Sequence, residues 1–267
     1  MKKKITKIET QKRPGRYNIY LDQKYAFSVS ESVLINFRLA KGMEIDEQLQ
    51  KVILADDDVA KAYSKALNYL AHQLRAESEV ISKLKELELD DGVIEEVLQK
   101  LRDQNLLDDQ NYADSYVRTM MLTSDKGPTI IRQNLRMKKI GENLIDRALE
   151  QYPENELMEN GIKLAEKQLK HYHHFPTKTR LQKVRQSMMT KGFKSDLITK
   201  ILDNITIEED PDEEWEDLNV QAEKIWHRNR KYDSRERIMR TKRSLYGKGY
   251  SMEQINRWVE ERSAGDE

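Results

Sequence analysis

The sequence predicts a mainly α-helical fold, an elongated tandem array of three-helix repeats that follows a small β-rich N-terminal domain. Three observations support this prediction. The chain is 37% hydrophobic and 35% charged, so it has too few apolar residues for one deep core, whereas small repeats each bury only one apolar stripe. Only 5 Pro and 10 Gly interrupt the 267 residues, which is typical of helical chains. The third observation is a spacing of apolar residues that recurs four times.

The N-terminal segment is expected to form strands and a hairpin. Apolar and polar residues alternate over 17–21 and again over 25–29, and Asp22-Gln23 forms a short turn between them. A period of two residues on both sides of a short turn predicts a β-hairpin. A helix is then expected to begin after Ser30, because serine is a favoured N-cap residue.

From residue 58 onward, the apolar residues follow a helical spacing that repeats. In each repeat they stand at a first position and at 5, 10 and 14 residues beyond it. The step of five residues cannot lie on one helix face, so it marks a turn between the second and third helices of the repeat. The four sets are Leu84, Leu89, Ile94 and Leu98; Leu135, Ile140, Ile145 and Leu149; Met188, Phe193, Ile198 and Leu202; and Leu245, Tyr250, Ile255 and Val259.

Each repeat is expected to contain three helices, at intervals of 51, 53 and 57 residues along the chain. Four of the five prolines fall between the expected helices, where the missing N–H is tolerated best. We therefore expect a β-rich domain and four repeats, with boundaries at 1–57, 58–108, 109–155, 156–206 and 207–267.

Composition and motifs argue against several classes of protein. Cys is absent, which removes disulfides, thiol catalysis and cysteine-based zinc sites and is typical of the reducing cytoplasm. Phosphate-binding glycine loops and stretches of 18 apolar residues are also absent from the sequence, so we expect no enzyme activity, no cofactor and no membrane span. The basic start of the chain has no apolar run behind it, so we expect no secretion signal.

Two clusters of polar residues bear on metal binding, and we favour a structural interpretation of both. His171, His173 and His174 stand at spacings that do not bring three ligands together on a helix. Asp108 and Asp109 resemble part of a calcium loop, but the glycine and the terminal glutamate of such a loop are missing. We expect these aspartates to cap the first helix of the second repeat, and we predict no metal site.

The 47 basic and 47 acidic residues give a formal charge of zero, yet they are separated along the chain. Residues 1–16, 178–194 and 224–248 are strongly basic, whereas 86–96 and 203–217 are strongly acidic. The basic blocks of the repeats fall largely on second helices. Equivalent helices of a stacked array lie on one face, so we predict a basic stripe that can follow a phosphate backbone or another acidic surface. Ordinary solvated helix faces are the alternative.

The chain resembles the bacterial RecX family. The second repeat is similar to the signature of that family through Leu107-Asp108-Asp109, Tyr112-Ala113, Val117-Arg118, Lys126-Gly127-Pro128, Ile131-Arg132, Leu135 and Lys139-Ile140. The segments 16–22 and 25–29 are similar to the N-terminal extension of its low-GC Gram-positive members. The resemblance covers nearly the whole chain. The chain departs from the pattern in its length, because shorter members carry three repeats and four are counted here.

The resemblance implies a regulator of the RecA recombinase that has no catalysis of its own. It implies a curved array that lies in the groove of the RecA–single-stranded DNA filament and modulates ATP hydrolysis, strand exchange and coprotease activity. Such a protein would act in recombination, DNA repair and the SOS response. We expect it in the cytoplasm, as a monomer, with double-stranded DNA as a further partner to consider.

Two alternatives remain open at this point. In the first, the protein binds single-stranded DNA directly and competes with RecA for it, so that the affinity for DNA falls steeply with salt. In the second, the protein is a helical-repeat adaptor for a partner unrelated to DNA. The adaptor hypothesis predicts a groove lined by exposed apolar residues rather than basic ones.

The candidate contacts with DNA or the filament are basic residues on or beside the second helices of repeats two to four. They are Lys126, Arg132, Arg136, Lys138, Lys139, Lys178, Arg180, Lys183, Arg185, Arg240, Lys242 and Arg243. The aromatic residues that could stack on the bases of a single strand are Tyr112, Tyr116, Trp226, Tyr232, Tyr246 and Trp258. Tyr112 and Tyr116 stand four residues apart, so we expect them to form a core stripe instead. Tyr232 and Tyr246 are the better candidates because they stand among Arg and Lys.

Overall fold

A computed structural model describes residues 2–12, 14–173, 175–206 and 211–263. A small antiparallel sheet at the N-terminus precedes a series of α-helices, as the sequence predicts. The chain divides into two compact units, Met1–Tyr116 with Leu135–Ala148 and Val117–Asn134 with Leu149–Glu267. None of the helices in the described ranges has the length and apolarity of a membrane span.

The N-terminal sheet contains the predicted hairpin. Its strand order is β3-β2-β1-β4 and neighbouring strands are antiparallel. Asp22 and Gln23, which join the second and third strands, have φ angles of 49° and 69°, as a two-residue type I′ turn requires. The fourth strand is not predicted, because two residues carry no period. The strands are β1 (Lys3–Thr10), β2 (Arg16–Leu21), β3 (Lys24–Ser30) and β4 (Glu44–Ile45).

The alternation along β3 is interrupted at Tyr25. Ile19, Phe27 and Val29 are buried in the core of the sheet, whereas Tyr25 is 59% exposed. The pairing of β2 with β3 is irregular between Ile19 and Tyr20, and a shift of one residue turns the side chains beyond it to the other face. Tyr25 instead packs edge-on against Tyr20, with ring centroids 6.0 Å apart.

Two helices connect the sheet to the first repeat. The first, α1 (Glu31–Asn36), begins after Ser30 as predicted, and the Ser30 hydroxyl accepts a hydrogen bond from the backbone N–H of Val33. The second, α2 (Glu47–Leu70), runs through the boundary that we expected between residues 57 and 58. This one helix contributes Ile53 to the core of the sheet and Val59 to the core of the first repeat, so the expected boundary falls within a helix and between these two core residues. The boundary between the two domains stays a prediction.

Three helices form each repeat, and the apolar spacing marks their core. Of the sixteen positions that define the spacing, all but Leu89, Leu149 and Leu202 are buried, and these three are half-buried. The helices are α2 with α3 (Glu77–Lys85) and α4 (Asp91–Asp103); α5 (Asp109–Thr123), α6 (Pro128–Met137) and α7 (Glu142–Glu150); α8 (Glu154–His171), α9 (Thr177–Thr190) and α10 (Ser195–Asp203); and α11 (Pro211–Arg228), α12 (Ser234–Lys248) and α13 (Met252–Ser263).

The step of five residues is a turn that has the same backbone geometry in every repeat. One residue of each turn has a positive φ: Glu88, Lys139, Gly192 and Gly249, with values of 54°, 60°, 91° and 101°. Each of them stands four residues after the first position of the apolar spacing. A single left-handed residue ends the second helix and redirects the chain into the third. Glycine adopts this conformation freely, whereas Glu and Lys do so at a cost of roughly 1 kcal/mol.

These turns also join successive repeats. Each joint uses the backbone carbonyl of a lysine that stands three residues after the first position of the apolar spacing. This carbonyl oxygen accepts a hydrogen bond from a residue at or near the start of the second helix of the preceding repeat. The three hydrogen bonds are Ser78 Oγ to Lys138 O at 2.5 Å, Gly127 N to Lys191 O at 2.7 Å and Thr179 Oγ1 to Lys248 O at 2.8 Å.

The second joint brings two backbone segments into direct contact. A Cβ atom on Gly127 would stand 2.6 Å from the carbonyl carbon of Gly192, and a Cβ atom on Gly192 would stand 2.6 Å from the nitrogen of Ile130. Only glycine fits at both places without a shift of the backbone. The glycine of the Lys126-Gly127-Pro128 segment is therefore required by the docking of the next repeat.

Candidate nucleic-acid and filament interface

Several of the candidate basic residues are tied within their own repeat. Arg185 and Lys242 occupy the same position on the second helices of repeats three and four. The Arg185 guanidinium donates to Thr199 Oγ1 at 3.0 Å, and the Lys242 ammonium donates to Asn256 Oδ1 at 2.7 Å. Thr199 and Asn256 are themselves equivalent positions on the third helices. Arg132, half-buried in repeat two, stands at the same position of α6. In repeats three and four this position therefore fastens the second helix to the third.

Arg136 and Lys138 form ion pairs at the end of α6. Arg136 donates from Nε and Nη2 to the two carboxylate oxygens of Glu142. The Lys138 ammonium lies 2.6 Å from Oε1 of Glu79 on α3. Burial disfavours ionised Glu79, but hydrogen bonds from Lys138 and from the backbone N–H of Ala76 outweigh that effect and lower its pKa. Both cations are largely neutralised where they stand.

Arg180 and Lys183 pack against other parts of repeats three and four. The half-buried Arg180 donates to Thr177 Oγ1 at 3.3 Å, and it lines a small cleft together with Glu214 and Tyr250. The Lys183 ammonium lies 4.4 Å from the centroid of the Phe175 ring, a cation–π contact. Both side chains therefore contact other residues of the protein.

The remaining candidates reach the surface. Lys139 and Lys178 are exposed, and Lys126 is half-buried. Lys178 borders a cleft that Tyr246 also lines. Tyr246 is 56% exposed, so it is accessible to a base, as the stacking hypothesis requires.

Arg240 and Arg243 lie in an open groove beside α12, which we call the arginine groove. Arg228, at the end of α11, also lines it, together with Asn229, Glu236, Met239 and Ser244, and the groove has a volume of about 480 Å³. Arg240 is paired with Glu236 at 2.8 Å and covers the Tyr232 ring at 4.0 Å. Arg228 and Arg243 are exposed and have no acidic partner among the residues that the structure describes.

Sequence reasoning did not single out Arg228. It lies within the basic block 224–248, but it belongs to α11 and not to the second helix on which the candidates were sought. A signal was present, because Arg228 stands two residues beyond the buried Trp226 and one helical turn beyond Lys224. Whether the second helices of all repeats form one basic stripe stays a prediction.

Two of the aromatic candidates are wrong. Trp226 and Trp258 are 5% and 3% exposed, and their rings meet edge-on at 5.9 Å in the core of repeat four. They hold the first and third helices of that repeat together, so they are not accessible to a base. Tyr232 is half-buried under Arg240, which leaves Tyr246 as the stacking candidate with an open face.

The aspartates after Leu107 act as caps, but in two different helices. Asp108 Oδ1 accepts from the backbone N–H groups of Gln110 and Asn111 at 2.8 and 3.0 Å, so it caps α5 as expected. Asp109 instead accepts from the backbone N–H of Glu77 at 2.9 Å, at the start of α3 in the preceding repeat. Burial, together with the charges of Glu77 and Asp108, raises the pKa of Asp109.

The histidine cluster lies partly outside the described residues, because these do not include His174. The Nδ1 atom of His173 lies 2.9 Å from the carbonyl oxygen of Lys170, at the end of α8. The residues that are described hold no group of three or more His, Asp or Glu side chains arranged to bind a metal ion.

Four family models match the chain along most of its length. The regulatory protein RecX N-terminal domain matches residues 3–46. The first and second RecX three-helix domains match 62–101 and 108–149. The third RecX three-helix domain matches twice, over 154–202 and again over 212–259. The fourth repeat is thus similar to the third domain, which accounts for the additional repeat.

Curated relatives and solved structures are similar over long stretches. "Regulatory protein RecX" of Levilactobacillus brevis is 52% identical over 96% of both chains. The protein of the same name from Limosilactobacillus reuteri is 49% identical over 96% of this chain and 97% of its own. A structure described as "Crystal structure of regulatory protein RecX" is 53% identical, with a TM-score of 0.68 over 76% of this chain and 100% of that chain. The crystal structure of RecX from Lactobacillus salivarius is 45% identical, with a TM-score of 0.54 over 55% of this chain and 96% of that chain.

Proposed function

The chain belongs to the RecX family, and we propose that it regulates a RecA recombinase by binding the RecA–single-stranded DNA filament. The observation that carries the proposal is the match to proteins named regulatory over 96% of their length. The family models match the N-terminal sheet and all four three-helix repeats of this chain. A regulator acting on such a filament works in the cytoplasm and needs no catalytic residue of its own.

The surface of repeat four supports an acidic partner. The arginine groove presents two exposed guanidinium groups, those of Arg228 and Arg243, beside the Arg240–Glu236 pair. Planar guanidinium groups recognise phosphate and carboxylate through paired hydrogen bonds. The only apolar side chain that lines the described part of this groove is Met239. Its lining therefore favours DNA phosphates or acidic protein surface over the apolar partner of an adaptor.

Tyr246 and Lys178 supply a second contact of different chemistry. They line one cleft between α9 and the end of α12, and the tyrosine ring is more than half exposed. An aromatic ring beside a cation fits a base and its phosphate on a single strand. Bound in this way, the protein would modulate ATP hydrolysis, strand exchange and coprotease activity in recombination, DNA repair and the SOS response.

Binding measurements with and without RecA separate filament binding from competition for DNA. Fluorescence anisotropy of labelled single-stranded DNA would be recorded with DNA alone and with preformed RecA filaments. We expect tighter binding to filaments. If binding to bare DNA is the tighter of the two and RecA is displaced, competition for DNA is the mechanism. Direct phosphate contacts would give a slope of about −0.7 per neutralised phosphate in a plot of log K against log salt.

Charge reversal tests which surface is used. The variant with Arg228→Glu and Arg243→Glu should bind filaments at least tenfold more weakly. A matched control, Lys163→Glu with Lys200→Glu, reverses two exposed lysines on α8 and α10 and should bind within a factor of two to three of the unaltered chain. Equal binding by both double variants would show that the arginine groove is not the interface.

A further inference from the structure

Each repeat carries two docking elements, and the chain uses them in pairs. One element is the turn between the second and third helices; the other is the socket at the start of the second helix. The turns of repeats two, three and four dock on the sockets of repeats one, two and three. In the described part of the chain, the turn of repeat one and the socket of repeat four therefore have no counterpart. We call the first, residues 86–91, the free turn.

The unused socket is the arginine groove. The joint between repeats one and two contains a cleft that Ser78, Glu79, Ser82 and Lys83 line on the socket side, with Lys138 on the turn side. An offset of 161 residues relates repeat one to repeat four. At that offset the same four positions are Met239, Arg240, Arg243 and Ser244, and all four line the arginine groove.

Exposure shows that both free elements lack a cover. In the three docked turns, the apolar residue five places after the first position is buried, with exposures of 4% at Ile140, 3% at Phe193 and 3% at Tyr250. Its equivalent in the free turn, Leu89, is half-buried. On the socket side, Met239 is 66% exposed.

The charges of the free elements are the reverse of those in the first two internal joints. In these two joints the turn supplies the cation and the socket region supplies the carboxylate: Lys138 pairs with Glu79 at 2.6 Å, and Lys191 pairs with Asp125 at 2.9 Å. At the free ends, the turn is acidic and the socket is basic. A lysine-bearing turn would be repelled by the arginine groove, whereas an acidic turn would be attracted to it.

Part of the acidic charge of the free turn is already neutralised. Glu86 pairs with Lys83 at 2.5 Å, and Asp91 pairs with Lys85 at 3.8 Å. Glu88 and Asp90 are exposed and form no ion pair among the described residues. The carboxylates of Glu88 and Asp90 are therefore available to form ion pairs with Arg228 and Arg243 of another copy.

We propose that the free turn of one copy of this chain docks in the arginine groove of a second copy. The contact repeats the internal joint with its charges exchanged, so it is head-to-tail, and further copies can add in the same sense. One turn in one groove buries less area than a standard interface, so the association is weak in dilute solution and is favoured at high protein concentration. A turn docked in the arginine groove excludes the filament from that groove, so the two contacts are alternatives. The inference goes beyond the proposed function and is tested without RecA or DNA.

Cross-linking tests the geometry directly, because the chain has no native Cys. Glu88→Cys and Met239→Cys would be mixed under mild oxidation at high protein concentration, and a disulfide-linked dimer is expected. In the control, Met189→Cys, which is 54% exposed on α9, replaces Met239→Cys. If the control forms as much heterodimer as the Met239→Cys variant, the two ends do not meet and the proposal is wrong.

Charge exchange tests the chemistry. The turn variant carries Glu88→Lys and Asp90→Lys, and the fold already holds lysine at both of these positions in other repeats, at Lys139 and Lys194. The groove variant carries Arg228→Glu and Arg243→Glu. Sedimentation velocity at increasing concentration should show association of the unaltered chain, monomers for each variant alone and restored association for their mixture. The proposal is overturned if the unaltered chain stays monomeric at about 0.5 mM, near the weak limit for specific contacts, or if either variant associates alone as well as the mixture does.

Discussion

The ammonium group of Lys138 lies 2.6 Å from Oε1 of Glu79, and this ion pair joins the turn of the second repeat to the second helix of the first. The backbone carbonyl of the same lysine accepts a hydrogen bond from Ser78 Oγ. The Glu79 side chain is 18% exposed and that of Lys138 is 39% exposed. Hydrogen bonding to Glu79 raises the pKa of Lys138. A residue that we expected to contact DNA is thus a connector between repeats.

Removing the charge of Glu79 should weaken this connection. Glu79→Gln leaves Lys138 without its counter-charge, and we expect a loss of about 1 kcal/mol in the free energy of unfolding because the pair is only partly shielded from solvent. A double-mutant cycle with Lys138→Met, followed by urea denaturation, measures the coupling. The control pair, Glu96 with Lys100, is more exposed on α4 and should couple by less than about 0.5 kcal/mol. Equal coupling in both pairs would contradict the connecting role.

Gly127 should tolerate no side chain. Gly127→Ala places a Cβ atom 2.6 Å from the backbone of Gly192, so we expect a loss of about 2–3 kcal/mol as the joint shifts. Gly247→Ala is the matched control, because nothing lies within 4 Å of its Cβ position on α12. That change should raise stability by about 0.5–1 kcal/mol through the better helix propensity of alanine. Thermal unfolding of the two variants measures both effects, the expected loss of stability for Gly127→Ala and the expected gain for Gly247→Ala.

A buried ion pair connects the sheet to α2. The fully buried Asp57 accepts from the backbone N–H of Ser30 at 2.7 Å, and it lies 3.0 Å from Arg16 Nη2 and 2.9 Å from Lys61 Nζ. Burial opposes its ionisation most strongly, but hydrogen bonds from Lys61, Arg16 and Ser30 outweigh burial and lower the pKa of Asp57.

The sign of the pH dependence follows from that direction. Because the folded pKa of Asp57 is lower than the unfolded value of about 3.9, its contribution to stability is complete above that value and is lost as the pH falls through the folded pKa. Asp57→Asn should cost about 3 kcal/mol at neutral pH, since Arg16 would lose a charged partner inside the protein. The same variant should also lose less stability than the unaltered chain between about pH 4 and pH 2. Urea denaturation across this range measures both effects, and parallel curves would contradict the assignment.

Neighbouring cations on α12 should behave differently. Lys242 is bound to Asn256 on α13, whereas Arg243 is exposed in the arginine groove. We expect Lys242→Met to lower the free energy of unfolding by about 1 kcal/mol and Arg243→Met to change it by less than about 0.5 kcal/mol. Filament binding should show the opposite order, with the larger loss for Arg243→Met. If one of the two variants shows the larger loss both in stability and in filament binding, the assignment of a structural role to Lys242 and a binding role to Arg243 is wrong.

The sequence predicts the three-helix repeat well because the spacing of apolar residues marks the buried positions of each repeat. The buried positions, the turn after each second helix and the hairpin at Asp22-Gln23 all follow from it. The continuous α2 could not be predicted, since two separate cores draw on one helix and the period does not show where one core ends. The roles of Lys138 and Arg185 could not be predicted either. A basic residue in a sequence does not reveal whether its partner lies in the next helix, the next repeat or another molecule.

The most direct test of the central claim is the RecA ATPase on single-stranded DNA, measured with this protein at increasing ratio to RecA. We expect the rate of ATP hydrolysis to change with the unaltered chain and with the Lys163→Glu, Lys200→Glu control. The Arg228→Glu, Arg243→Glu variant should have a much smaller effect at the same ratio. An unchanged rate with the unaltered chain at equimolar protein would contradict the proposal that this protein regulates the RecA filament.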